Sequence, residues 1–235
     1  MTEKFNWESF LDPYIQAVGE LKIKLRGARK QYQKQNRHSP IEFVTGRVKP
    51  SESIKNKARL RGFTSENIAE MQDIAGVRVM VQFVEDVDEV LGLLRNRDDF
   101  RIIQERDYIH HQKESGYRSY HVVIEYPVEM VNGQKKIFAE IQIRTLAMNF
   151  WATIEHSLNY KYQGAFPEEL KTRLATTAKI AFALDEEMSK IREEIQEAQL
   201  LFNPSRRKVD DGVENRDDFD EEKKKKKSLD NKKSL

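Results

Sequence analysis

The 235-residue sequence contains no cysteine, which excludes a disulfide scaffold, a thiolate metal site and a cysteine nucleophile. No run of 18 apolar residues occurs, and the opening MTEKFNWESF has no basic stretch leading into an apolar one. Neither a membrane span nor a secretory signal is therefore predicted, and a cytoplasmic location is expected. The chain lacks a phosphate loop ending in Gly-Lys-Ser or Gly-Lys-Thr, and it lacks GxGxxG, so standard P-loop and dinucleotide folds are disfavoured. His is nowhere followed by Asp, which removes the simplest cue for an HD-type metal phosphohydrolase. Charge of one sign is also missing. The net +2 comes from residues 204–235, with 11 Lys or Arg against 9 Asp or Glu, leaving 30 against 30 in residues 1–203. The body is thus no general polyanion binder, and any anion site must arise from local clustering.

What is present suits one domain of residues 1–203 followed by a disordered charged tail of 204–235, with KKKKK at 223–227. Apolar side chains from Trp7 to Tyr32 recur at three and four residues, predicting a helix over 7–35. The run IEFVTGRVK is extended. Ser51 is placed to cap a helix to Arg61, Gly62 to stop it, and a further short helix is expected over 64–71. Strands follow at 76–83, within FRIIQERDYI, and in SYHVVIEYPV and KIFAEIQIRT, with a helix over 86–95 and a tight turn at Asn132-Gly133. Helices over 145–162 and 167–202 complete the pattern, the last with a heptad seam including Leu174, Thr177, Ala181, Leu184 and Met188. That seam suits packing on the first helix or on another subunit. The predicted class is α/β (α+β), a mixed sheet of about five strands flanked by helices, with long C-terminal helices.

Chemistry concentrates in four segments. In FAEIQIRT the alternation of a strand places Phe138, Glu140, Gln142 and Arg144 on one face and Ala139, Ile141 and Ile143 on the other. An acid, an amide and a guanidinium in register suit either a site or an ordinary wet sheet face. In GRVKPSESIKNKA, Arg47 and Lys49 share a direction, and Ser53 and Lys57 lie four apart near a helix start, which suits a polyphosphate cradle or a solvated basic surface. Asp73, just before a strand that carries Arg78, can hold Mg²⁺ through one carboxylate oxygen or cap a turn. In KESGYRSYH, Gly116 permits a bend, Tyr117 offers a flat ring, and Lys113 and His121 supply donors.

GRVKPSESIKNKA, DIAGVR, KESGYRSYH and AEIQIRT, in this order, resemble the small alarmone synthetases, the single-domain RelQ-like relatives of RelA/SpoT proteins, from the first helix to about residue 200. The resemblance implies a nucleotidyltransferase-like synthetase fold without a hydrolase domain. It implies Mg²⁺-dependent transfer of the β,γ-pyrophosphate of ATP to the 3′-hydroxyl of GDP or GTP, with AMP leaving, in stringent-response signalling. By the same resemblance Arg47 and Arg78 sandwich adenine, and Lys49, Ser53 and Lys57 bind the ATP phosphates. Asp73 and Glu140 hold Mg²⁺, Glu140 also acting as base. Tyr117 stacks on guanine, and Arg106, Lys113, His121 and Gln142 surround the acceptor; Arg144 is expected to steady Glu140. The family further suggests a homotetramer activated by its (p)ppGpp product through Arg26, Phe43, Thr45, Asn149 and Glu155, with Arg26 where Lys is common. Two alternatives remain at this stage: a single-stranded-RNA-binding regulator, and a nucleotidyltransferase that releases pyrophosphate.

Overall fold

The computed structural model describes residues 5–162 and 167–202. Helix α1 (Trp7–Lys34) starts where Asn6 Oδ1 accepts from Ser9 N at 3.2 Å. It is followed by β1 (Phe43–Val48) and α2 (Ser51–Arg61), which Gly62 ends in the left-handed region at φ 74°. Ser51 is the first helical residue rather than the cap; the Pro50 carbonyl accepts from Ile54 N at 3.0 Å. The helix expected over 64–71 reduces to one 3₁₀ turn, Ile68–Glu70. The cause is local: Asn67 Oδ1 accepts from Thr64 N at 2.7 Å, a side-chain bond that competes with the helical ladder.

The remaining elements are β2 (Ala75–Val81), α3 (Asp86–Arg95), β3 (Arg101–Asp107), β4 (Tyr120–Met130), β5 (Gly133–Thr145), α4 (Leu146–Lys161) and α5 (Glu168–Phe202). At the β4–β5 turn Met130 pairs with Gly133, so Val131 and Asn132 form the turn, and Gly133 takes the positive φ of 101°. The five strands form one mixed sheet in the order β1-β2-β5-β4-β3, with β2 and β5 parallel and every other pair antiparallel.

One face of the sheet is the core. Val77 and Val79 of β2, Ala139, Ile141 and Ile143 of β5, and Val122 and Ile124 of β4 are fully buried. They belong to one cluster with Tyr14, Ala17, Leu21 and Leu25 of α1 and Val90, Leu91 and Leu94 of α3. Burying each large aliphatic chain contributes roughly 1.5–3 kcal/mol, so this face fixes the register and the opposite face is free to carry polar groups.

Residues up to Lys190 form one compact unit; the described part of the remainder, 191–202, is the end of α5. Within that unit α5 buries Ala178, Asp185 and Ser189, one residue round from the seam expected at Thr177, Leu184 and Met188. Leu184 and Met188 stay 55% and 42% exposed. Among the described residues no helix is long and apolar enough to cross a membrane. The expected tail of 204–235 lies outside the described residues.

Candidate active site

Cross-strand register builds the site. Thr45 of β1 pairs with Arg78 of β2, Arg78 with Gln142 of β5, Gln142 with His121 of β4, and His121 with Arg106 of β3. These five residues form a polar row across the whole sheet, on the face opposite Val77, Ile141 and Val122. Two residues further along, Arg47, Gly76 and Glu140 make a second row. A cleft of about 190 Å³ opens over both, lined by Thr45, Arg47, Lys49, Asp73, Arg78, Glu140 and Gln142, with Gly46, Gly76 and Val77 as its floor.

On one side of the cleft Asp73 Oδ2 accepts from Lys57 Nζ at 2.5 Å and also from Lys49 Nζ. Burial opposes ionisation of Asp73, but the two lysine hydrogen bonds outweigh it and hold the carboxyl below its ordinary value. Lys49 is pushed down, chiefly by burial and despite Asp73. Arg78 is pushed down by burial and by the like charges of Arg144 and Arg47. Two lysines thus share the single Asp73 carboxylate while Arg47 and Arg78 line the same cleft, a local excess of cations that suits a polyphosphate.

Glu140 stands at the centre, 8% exposed. His121 Nδ1 lies 2.9 Å from Glu140 Oε1, and Gln142 Nε2 donates to Oε2 at 2.7 Å. Burial pushes the Glu140 carboxyl up, the hydrogen bonds and the charge of His121 bring it below its ordinary value, and Asp73 opposes them. With Glu140 ionised and only accepting, His121 Nδ1 carries the hydrogen of that bond, and Nε2 lies 2.8 Å from the Tyr117 hydroxyl. Tyr117 in turn accepts from Arg144 Nη2 at 2.5 Å. A continuous chain of bonds therefore runs from Arg144 through Tyr117 and His121 to the central carboxylate.

Arg144, expected to steady Glu140, is linked to it only through other side chains: it bonds Tyr117, Gln142 Oε1 at 2.9 Å and Ser119 Oγ at 3.2 Å. Side chains two apart on a strand point the same way, and the Gln142 amide between them takes the contact with Glu140. Of the residues expected on ATP, Arg47, Lys49 and Arg78 line the cleft and Lys57 reaches it through Asp73, whereas Ser53 is an exposed residue of α2 outside its lining. Of those expected on the acceptor, Gln142, His121 and Tyr117 form the bonded chain, and Lys113 Nζ lies 5.0 Å from the centre of the Tyr117 ring. Arg106 is in register beside His121 but donates to Gln72 at 2.7 Å and Gln104 at 2.5 Å.

Tyr108, Ser119 and Gln72 were not singled out by motif. Tyr108 packs edge-on against His121 at 5.1 Å, and Lys113 Nζ lies 4.6 Å from its ring centre. Its place directly after β3, beside the end of β4, is the only signal the sequence offers. The five residues expected to bind an effector fall in two groups within one chain, Arg26 with Phe43 and Thr45 at β1, and Asn149 and Glu155 on α4. Arg26 donates to the Val44 carbonyl at 2.9 Å, Phe43 is 39% exposed, Thr45 lines the cleft, the buried Asn149 Oδ1 lacks a hydrogen-bond partner, and Glu155 lines a separate cavity with Glu114 and Lys171.

Residues 46–165 match the region found in RelA/SpoT proteins. The chain belongs to the RelA/SpoT family. It is 59% identical to the GTP pyrophosphokinase YjbM of Bacillus subtilis over 197 residues, 84% of this chain and 93% of that one. Among solved structures, the B. subtilis small alarmone synthetase 1 bound to its product pppGpp superposes with a TM-score of 0.79 at 59% identity, covering 81% of this chain and 98% of that one. A GTP pyrophosphokinase family protein from Streptococcus pneumoniae superposes with the same TM-score of 0.79 at 72% identity, covering 84% and 98%. The RelA/SpoT region thus begins within the GRVK strand and includes every residue of the two rows except Thr45.

Proposed function

We propose that this RelA/SpoT family protein is a (p)ppGpp synthetase. It transfers the β,γ-pyrophosphate of ATP to the 3′-hydroxyl of GDP or GTP, with AMP leaving. The observation that carries this reading is the division of the cleft, with Arg47, Arg78 and the two lysines that share Asp73 on one side and the Tyr117-His121-Glu140 chain on the other.

In this reading Arg47 and Arg78 flank adenine, and Lys49 and Lys57 draw the ATP phosphates. Glu140, held ionised, takes the proton of the 3′-hydroxyl as the bond from that oxygen to the β-phosphorus forms and the bond bridging the α and β phosphates breaks. His121 and Gln142 fix the Glu140 carboxylate, while Tyr117 and Lys113 face the guanine nucleotide and Arg106 stands at the rim.

Asp73 and Glu140 fit one Mg²⁺. Both carboxylates face the same cleft, Asp73 Oδ1 is outside the lysine clamp, and a hard cation with only two protein ligands completes its shell with water and phosphate oxygens. When bound, the ion would offset negative charge on the phosphates.

A homotetramer is part of the proposal, supported by the exposed Leu184 and Met188 of the α5 seam and Phe150 and Ile154 of α4. An effector site for (p)ppGpp formed by Arg26, Phe43, Thr45, Asn149 and Glu155 would then gather residues from more than one copy. Incubation with ATP, Mg²⁺ and GDP or GTP, followed by anion-exchange separation, is expected to give AMP and a 3′-pyrophosphorylated guanine nucleotide in equal amounts. Release of pyrophosphate with a nucleotidylated product would instead establish nucleotidyl transfer.

A further inference from the structure

The segment that carries Tyr117 does not rest on the sheet alone. Gly116 lies at φ +86° against α5, so close that a Cβ there would collide with the Cβ of Ala178. On the other side of Tyr117, the Arg118 guanidinium stacks on Phe182 of α5 with its centre 3.4 Å from the ring centroid. Tyr117 itself packs with Trp151, Ala178 and Leu174 in a small apolar cluster separate from the main core. Both neighbours of the base platform are therefore seated on one helical face, at Ala178 and Phe182, one turn apart.

The Arg118 seat is unusual. Its Nε and Nη1 are buried without a hydrogen-bond partner, and neither Asp185 nor Glu186 closes an ion pair with it, although both attract it. Buried, unpaired donors are unfavourable, and no packing need of the main core explains them. The same helical face is fastened to the site strand: Thr145, the last residue of β5, donates to Asp185 Oδ2 at 2.7 Å and accepts from Met148 N at 3.0 Å as the cap of α4.

We propose that Arg118 is a positioning residue for the acceptor nucleotide. Stacked on Phe182 of α5, it fixes the 113–118 segment so that Tyr117 stays aligned with His121 and Glu140. This deepens the synthetase reading and rests on its assignment of Tyr117 to the guanine nucleotide. Among the described residues the ATP side, built from β1, β2 and α2, makes no hydrogen bond or ring contact to α5 comparable to the Arg118 stack, so loss of the stack acts on one substrate.

The test is Phe182→Leu, which keeps apolar bulk and removes the ring, beside Phe182→Tyr, which retains it. A cation-ring contact of this kind is worth about a fivefold change in affinity or more. Phe182→Leu is expected to raise KM for GDP about fivefold or more, leave KM for ATP within about twofold, and weaken binding of a fluorescent GDP analogue but not of the ATP analogue; Phe182→Tyr is expected to restore both GDP readouts. If Phe182→Leu melts below the assay temperature, Arg118→Lys is read in the same way. An unchanged KM for GDP, or equal rises for both substrates, overturns the proposal. A wild-type protein that binds the ATP analogue but no GDP analogue overturns instead the acceptor assignment beneath it.

Discussion

Asp185 carries the least comfortable charge in the first unit of the chain. Burial pushes its carboxyl up to about 6, with Glu85 adding repulsion, against the Thr145 hydrogen bond and the attraction of Arg118. Its reference value is 3.8, so between these pH values the folded state keeps a proton that the unfolded state has released. Relative to a neutral side chain, stability is therefore lost as pH rises from 3.8 through 6 and the loss is complete above it. Asp185→Asn keeps an oxygen for Thr145 and is expected to melt above the wild type at pH 8, the gap closing toward pH 4; calorimetry showing the same gap at both pH values would remove this cause. Glu140 has the opposite sign, its depressed value keeping the accepting form dominant at neutral pH. Glu140→Gln is expected to lower kcat by about 10²–10⁴-fold while titrations of ATP and GDP stay within a few-fold of wild type. Near-normal turnover would remove Glu140 from the role of base.

Among the elements, β1 is closely fitted to its neighbours. It crosses α1 at Gly46, where a Cβ would meet Val18 Cγ1 at 2.8 Å and the Gly76 carbonyl at 3.2 Å. Gly46→Ala is expected to cost about 1–3 kcal/mol in urea unfolding and, by lifting the strand that holds Arg47 and Lys49, to raise KM for ATP more than KM for GDP. An unchanged urea midpoint would show that α1 yields freely. The elements themselves were largely legible, because Gly62, the alternating β5 and the apolar spacing of α1 each encode geometry locally. The site face of β5 was legible for the same reason: parity alone separates Glu140, Gln142 and Arg144 from Ala139, Ile141 and Ile143. Partnerships were not. Parity aligns Arg144 with Glu140 but cannot reveal that Tyr117, from another segment, takes its guanidinium. The two lysines on Asp73 meet it only after β1 and α2 fold beside β2. The buried stripe of α5 escaped because its contacts involve Asp185, Ser189 and Ala178, which an apolar periodicity passes over; Ser189 donates to Glu85 at 3.0 Å.

For the molecule as a whole, the proposed tetramer draws on the apolar residues left outside. Ile154 of α4 and Met188 of α5 are 45% and 42% exposed, so replacing either with Glu places a charge in the proposed interface while leaving the cleft untouched. Sedimentation at micromolar concentration is expected to show a tetramer for the wild type and smaller species for Ile154→Glu and Met188→Glu; a monomeric wild type would sink the assembly. The charged segment 204–235 is a separate matter, and RNA retention that is sensitive to salt and lost on its deletion would assign that binding there.

The parallel pairing of β2 with β5 joins Gly76 to Glu140, positions 64 residues apart in the chain. Segments so distant meet only after a large loss of chain entropy, while hairpins such as β4–β5 close early. The basic strand and helix proposed to draw ATP are encoded upstream of that joint, and the proposed proton acceptor, Glu140, is its downstream partner. A nascent or partly melted chain can thus present cations to a nucleotide without a base beside them. In the proposed reading, signal production then requires that β2 and β5 have paired, which ties output to completion of the sheet's one parallel joint.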